Sequence, residues 1–216
     1  MSDLFRQFAI VSYKGGVGKT TTAIHLAAYL SRKGKTVIVD GDLNKSALDW
    51  AKTGKLPFAV VNARKIPPGL SEKYHFIVVD TQARPEPEEI ESLIQYTYLI
   101  VPTTCDALSL RPTLTMLRDF DTHQDTWYGM HYRILLTMVP PPPSEQGAAA
   151  RTTLENLHTP LFKSSIRRFT AFQKAALYGM TVDQVKDDKY SKIAWDCYVQ
   201  AWNELPIQMP VKEKKL

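Results

Sequence analysis

Apolar and polar positions alternate along the chain in two rhythms. Short runs of β-branched and aromatic residues fit buried strands: Phe8-Ala9-Ile10-Val11, Thr36 to Asp40, Phe58 to Val61, Phe76 to Asp80, Tyr98 to Val101 and Ile134 to Val139. Leu161 to Ile166 is a further candidate. Between them lie segments with helical spacing. Thr21 to Lys33 places Ala23, Ala27 and Leu30 on one face with Ile24 beside them, and Gly34 follows Arg32 and Lys33 as a stop signal. Glu86 to Gln95 opens with Glu88, Glu89 and Glu91, where carboxylates favour a helix start. Leu110, Leu114 and Leu117 mark another helix, and Ser191 to Leu205 carries a stripe of Ala194, Cys197, Tyr198, Ala201, Trp202 and Leu205. Pro140 to Pro143 interrupts any regular element, and Ser144 is placed to cap the next helix. Strands alternating with helices predict an α/β fold: one domain, a mostly parallel twisted sheet, helices on both faces.

Composition narrows this only a little. The 216 residues fit one domain over residues 1–216, and 44% hydrophobic against 23% charged excludes wholesale disorder. A net charge of +5 is compatible with an anionic partner, as in many soluble enzymes. Cys105 and Cys197 are too few for a disulfide framework. The N-terminus lacks a signal-peptide pattern, and no run approaches the roughly 18 apolar residues of a membrane span. The expected location is cytoplasmic.

The most specific chemistry is Lys14-Gly15-Gly16-Val17-Gly18-Lys19-Thr20-Thr21, set between a strand and a helix. Glycines let consecutive N–H groups turn into one concavity, and the helix start adds its positive end. Lys19 suits the β- and γ-phosphates, the Thr20 hydroxyl suits Mg²⁺, and Thr21 suits the α-phosphate. An accidental glycine-rich turn is the alternative. Bound Mg²⁺ with nucleotide also needs carboxylates at neighbouring strand ends. Asp40, Asp42 and Asp80 each follow a β-branched run, although a strand-end aspartate can also simply cap a turn.

The first glycine of the common phosphate-loop pattern is replaced by Tyr13, and Lys14 precedes the glycine pair. This resembles the deviant Walker A box of the ParA/MinD family of dimeric ATPases, in its short ParA form. Val37-Ile38-Val39-Asp40-Gly41-Asp42 resembles that family's Walker A′ segment, with Leu43 and Asn44 in place of the usual proline and glutamine. Phe76 to Asp80 resembles Walker B, Leu99 to Thr104 a strand ending in P-x-x, and Phe162 to Met180 the late segment. The resemblance implies a P-loop NTPase domain that hydrolyses ATP with Mg²⁺. Lys14 would act across a homodimer with ATP sandwiched, Asp42 would position the attacking water, and Thr20, Asp40 and Asp80 would serve the metal.

It also implies partners. Nonspecific DNA would meet Lys163, Arg167, Arg168, Lys174 and Lys192, with a flexible basic tail over 206–216 that carries Lys212, Lys214 and Lys215; ordinary solvated charge is the alternative. The leading use the resemblance implies is segregation of plasmid or chromosomal DNA through a ParB-like adaptor, and the alternative is positioning of a carboxysome on the nucleoid through an McdB-like adaptor. A first strand at residue 8 leaves no room for the helix-turn-helix domain of long ParA proteins. Pro206 and Pro210 interrupt any MinD-like amphipathic tail, so no membrane partner is expected. An iron-protein-like cysteine cluster is the remaining alternative, set against Cys197 lying on an apolar helix stripe.

Overall fold

The computed structural model describes residues 4–94, 97–122 and 130–210. Six parallel strands form one sheet in the order β3-β2-β4-β1-β5-β6: β1 Gln7–Ser12, β2 Thr36–Asp40, β3 Ala59–Asn62, β4 Phe76–Ala83, β5 Thr97–Thr104 and β6 His131–Thr137. All six overlap the predicted runs. The helices are α1 Lys19–Ser31, α2 Ser46–Ala51, α3 Leu70–Lys73, α4 Pro87–Ile94, α5 Ala107–Thr122, α6 Gln146–Asn156, α7 Thr170–Tyr178 and α8 Ser191–Trp202.

Parallel strands need crossover connections, and these put helices on both faces of the sheet. One core joins Phe8, Ile10, Ile38 and Val78 to α1 and α8 through Ile24, Leu30, Tyr198 and Trp202, and reaches α7 at Ala171 and Ala175. The other face joins Ala9, Val11, Leu99 and Leu136 to Ile90, Met116 and Phe120 of α4 and α5, and to Leu154 of α6. Both cysteines are buried in these cores.

Several boundaries differ from the pattern-based reading. The segment Leu161 to Ile166 is not a strand; it runs beside β6 with single bridges at Leu161 and Arg167. Strand β4 does not stop at Asp80 but continues to Ala83, pairing with Ser12 across an irregularity in β1. The helix placed at Glu86 to Gln95 spans Pro87–Ile94, and Gln95 lies outside the described residues. The start of the expected tail is held to the domain: the Phe5 N–H donates to the Pro206 carbonyl and the Gln208 N–H to the Phe5 carbonyl, each at 2.8 Å. Residues 211–216, with Lys212, Lys214 and Lys215, lie outside the described residues. None of the described helices is long and apolar enough to cross a membrane.

Candidate functional site

Strand β1 is central, flanked by β4 and β5, and the strand order changes direction at it. The crevice at the carboxyl ends of such strands is where open parallel sheets place ligands. The loop from Tyr13 to Gly18 sits there. Gly16 and Gly18 adopt φ of 77° and 88°, a left-handed backbone that side chains strain to reach, so glycine is required at both. Val17 is buried and its carbonyl accepts from the Thr137 hydroxyl at 2.8 Å, which ties the loop to β6. Helix α1 then starts at Lys19, with the Thr22 N–H bonded to the Gly18 carbonyl at 2.8 Å. Its far side is clamped by His25, whose Nδ1 lies 2.6 Å from the Thr21 carbonyl and whose Nε2 accepts from the Val182 N–H at 3.1 Å. The ring also stacks on Tyr198, so the helix carrying the loop is held rigidly.

The loop encloses an open cavity of about 390 Å³ lined by Gly15, Gly16, Lys19, Thr20, Asp42 and Ser46. Lys19 is largely buried; burial lowers its pKa, while Asp80 and Asp42 oppose that shift. Asp42 is half-buried, and its carboxylate accepts from the Ser46 hydroxyl at 2.8 Å and from the Asn44 N–H at 3.2 Å. The departures Leu43 and Asn44 therefore leave a closed loop: Asn44 braces Asp42, while Leu43 points outward, 67% exposed. Asp40 is used differently. Its two oxygens accept the backbone N–H groups of Asp42 and Leu48 at 3.0 and 2.9 Å, so it clasps the turn into α2.

Asp80 is completely buried, yet neither oxygen has a partner in hydrogen-bond geometry. Burial, with Asp40 and Asp42 nearby, pushes its pKa up to about 7, while the neighbouring Thr20 hydroxyl and Lys19 pull it down. An unsatisfied buried carboxylate costs free energy unless a cation completes it. The oxygen donors of Thr20 and Asp80 beside the glycine cradle fit a hard cation such as Mg²⁺ accompanying a phosphate ligand. Among the described residues no group of three or more His, Cys, Asp or Glu side chains converges.

Lys14 is placed at the rim. Its ammonium hydrogen-bonds the Ser109 hydroxyl and lies 3.6 Å from Asp106, both at the start of α5 of its own chain. Thr104 and Ser109 donate hydroxyl hydrogen bonds to Asp106, which with Lys14 hold its carboxyl well below the usual range.

A second cavity, of about 420 Å³, shares Gly18, Thr21 and Met138 with the phosphate cradle. Arg167, Arg168, Phe169 and Phe172 line its other wall. Pattern reading missed this cavity because its residues come from the end of β6 and a loop nearly thirty positions later, and no spacing rule joins them. The basic residues assigned to DNA separate into groups. Arg167 and Arg168 face the cavity beside the phosphate cradle, with Arg167 also stacked over Phe169 at 5.3 Å. Lys174 is paired with Asp187 and Asp188, each at 3.5 Å. Lys163 and Lys192 are exposed, and Lys186 and Lys189 are exposed cations near α8 that pattern reading overlooked.

A family model described as the CobQ/CobB/MinD/ParA nucleotide binding domain matches residues 8–182, which span the phosphate loop, both acidic segments and the α7 wall of the second cavity. The chain belongs to this family. Within it, the chain is 32% identical over 186 residues to the maintenance of carboxysome distribution protein A of Gloeobacter kilaueensis, covering 83% of this chain and 84% of that protein. A shorter match, 65% identical over 34 residues, reaches the chromosome-partitioning ATPase Soj of Thermus thermophilus, 16% of this chain and 14% of that one. Among solved structures, the ATP complex of a Cyanothece McdA variant superimposes with a TM-score of 0.72 over 98% of this chain and 100% of that chain, at 14% identity. That likeness is one of fold. The CobQ/CobB/MinD/ParA assignment makes the crevice a nucleotide site on an NTPase fold.

Proposed function

We propose that the chain is an Mg²⁺-dependent ATPase that dimerises around ATP on DNA and positions a cargo inside the cell. The observation that carries this reading is the buried Asp80 carboxylate, unpaired and close to Thr20 and Lys19, which together with Asp42 line the cavity of the glycine cradle. Backbone N–H groups of Gly15 to Thr21 bind the phosphates, with Lys19 neutralising the β- and γ-positions. Thr20 and Asp80 would hold Mg²⁺, which would supply stabilisation of negative charge developing on the phosphates. Asp42, braced by Ser46 and Asn44, orients water in line with the γ-phosphate. Asp40 acts one step back, holding the Asp42 loop in place. Lys14 supplies charge to the partner subunit's nucleotide after leaving Asp106. The base would occupy the second cavity, whose lining includes Met138, Arg168 and Phe169.

The cargo reading follows the extent of the matches. The relative from Gloeobacter kilaueensis, named for carboxysome distribution, aligns over most of both chains, whereas the partition ATPase Soj aligns over only 34 residues. A protein organelle handed over by an McdB-like adaptor is therefore one use of the cycle. Segregation of plasmid or chromosomal DNA through a ParB-like adaptor is the other, because the same site and cycle serve both. The working location is the cytoplasm, at the nucleoid surface. Phosphate release measured with ATP, with and without Mg²⁺, tests the enzymatic step. Release that needs Mg²⁺ and disappears in Asp42→Ala supports it, and absence of release in the wild type at any protein concentration refutes it.

A further inference from the structure

The sheet is covered unevenly. Strands β2 and β4 are interior, and interior parallel strands are normally covered on both faces. On the face carrying Val39, Ile77 and Val79, the covering connection is only residues 63–75. It holds a single 3₁₀ turn, Ala63–Lys65, the pair Pro67-Pro68 and the one-turn α3. The prolines lack N–H groups and hold the residues before them extended, so no longer helix forms there. Helix α4 buries Ile90 and Ile94 against β1 and β5 and does not reach across. A groove of about 380 Å³ remains, floored by Val39, Ile77 and Val79 and walled by Ile66 and Leu93. Ile66 is 51% exposed.

Charge selects what this groove can hold. Glu86, Glu88, Glu89 and Glu91 are all exposed on or beside α4, a local reversal of sign on a chain of net +5. Glu89 is fixed at the groove's edge, because its Oε2 accepts from the Gln82 amide at 2.8 Å and the Glu86 N–H at 3.0 Å. Glu89 is the one charged side chain that lines the groove among the described residues. This acidic edge disfavours DNA and anionic lipid and favours an occupant that turns cations toward Glu89.

We propose that this groove receives an amphipathic segment of a partner protein, which lays apolar side chains on the Val39–Ile77–Val79 floor and points lysine or arginine at Glu89. The groove's inner end is formed by Gly41, Thr81 and Gln82. Gly41 lies between Asp40 and Asp42 in the chain, and Thr81 directly follows Asp80. The Gly41 N–H also donates to the Asp80 carbonyl at 2.8 Å, so an occupant bears on the strand ends that hold Asp40, Asp42 and Asp80. This rests on the proposed ATPase only for its consequence; the binding itself depends on the groove alone.

The test pans a random peptide library on the full chain with ATP and without nucleotide, then measures enriched synthetic peptides by fluorescence anisotropy. Peptides combining apolar anchors with one-sided cations are expected. Ile66→Glu should weaken them about tenfold or more, and Glu89→Gln about threefold with a flatter salt dependence. Both positions are exposed, so both variants should fold, which circular dichroism verifies. No enrichment, or peptides that bind both variants as tightly as the wild type, would overturn the proposal. Ile66→Glu converting a dimer of the chain to monomer in sedimentation would also overturn it, by making a second copy the occupant. Peptide binding without any ATP turnover would leave the groove standing and remove the proposed ATPase.

Discussion

The Lys14 ammonium lies 3.6 Å from the Asp106 carboxylate of the same chain. Asp106 also accepts the Ser109 N–H at 3.0 Å, so it caps the start of α5 while it holds the lysine. A lysine that crosses to a partner's nucleotide must first leave this anchor. Asp106→Asn keeps a good cap but removes the charge. The pair is partly exposed, so its loss should shift the ATP-dependent monomer–dimer equilibrium toward dimer by no more than about fivefold. Sedimentation velocity with ATP measures it; an unchanged or weaker dimer would show that the contact does not restrain Lys14.

Asp42 faces the cavity with Ser46 and Asn44 as its braces and has no buried structural duty of its own. Asp42→Ala should therefore leave ATP affinity within about threefold while lowering turnover by about 10²-fold or more. Ser46→Ala, which removes one brace, should fall between. Single-turnover phosphate release alongside equilibrium nucleotide binding separates the two effects.

Asp80 and His25 give opposite pH dependences. The Asp80 pKa is raised to about 7, so the folded chain holds a proton that the unfolded chain releases above the ordinary carboxylate range. Stability therefore falls as pH rises from about 4 to 7. Burial pushes His25 down to about 4, so the folded chain refuses a proton that the unfolded chain takes up, and stability falls as pH drops from about 6.5 to 4. Asp80→Asn should remove the first slope and leave the second. Urea unfolding of nucleotide-free protein at pH 5.5 and 8 should find the variant more stable than wild type at both, with the larger difference at pH 8. The same variant should lose the stabilisation that Mg²⁺ with nucleotide confers on the wild type.

The basic residues should divide by role. Arg168→Ala, on the wall of the second cavity, should weaken nucleotide binding. Lys192→Ala should leave nucleotide binding intact and reduce the salt dependence of DNA binding by about one unit of slope. Lys174→Ala, which breaks the pairing with Asp187 and Asp188, should change stability more than DNA affinity. Titrations with labelled nucleotide and with labelled duplex across a salt series distinguish the three.

The strands and the phosphate loop were legible because both are local. A β-branched run reads as a buried strand whatever surrounds it, and Gly16 and Gly18 announce a backbone that few other residues tolerate. Asp80 was legible as the end of such a run, but its isolation was not, since that depends on β1 and α1 packing over it. Asp40 was legible as a strand-end carboxylate in the acidic segment, whereas its clasp on the Asp42 and Leu48 N–H groups emerges only once the turn is folded. The Lys14 anchor joins residues about ninety-five positions apart, and no spacing rule connects them. The open strip over β2 and β4 is an absence of cover, which a one-dimensional pattern does not record.

Binding to arbitrary duplex DNA, compared with ATP, with ADP and without nucleotide across a salt series, tests the central claim most directly. Salt-sensitive, sequence-independent binding is predicted with ATP alone, retained by Asp42→Ala and lost by Lys14→Ala. Binding that is the same in all three nucleotide states, or absent in all of them at low salt, would contradict it.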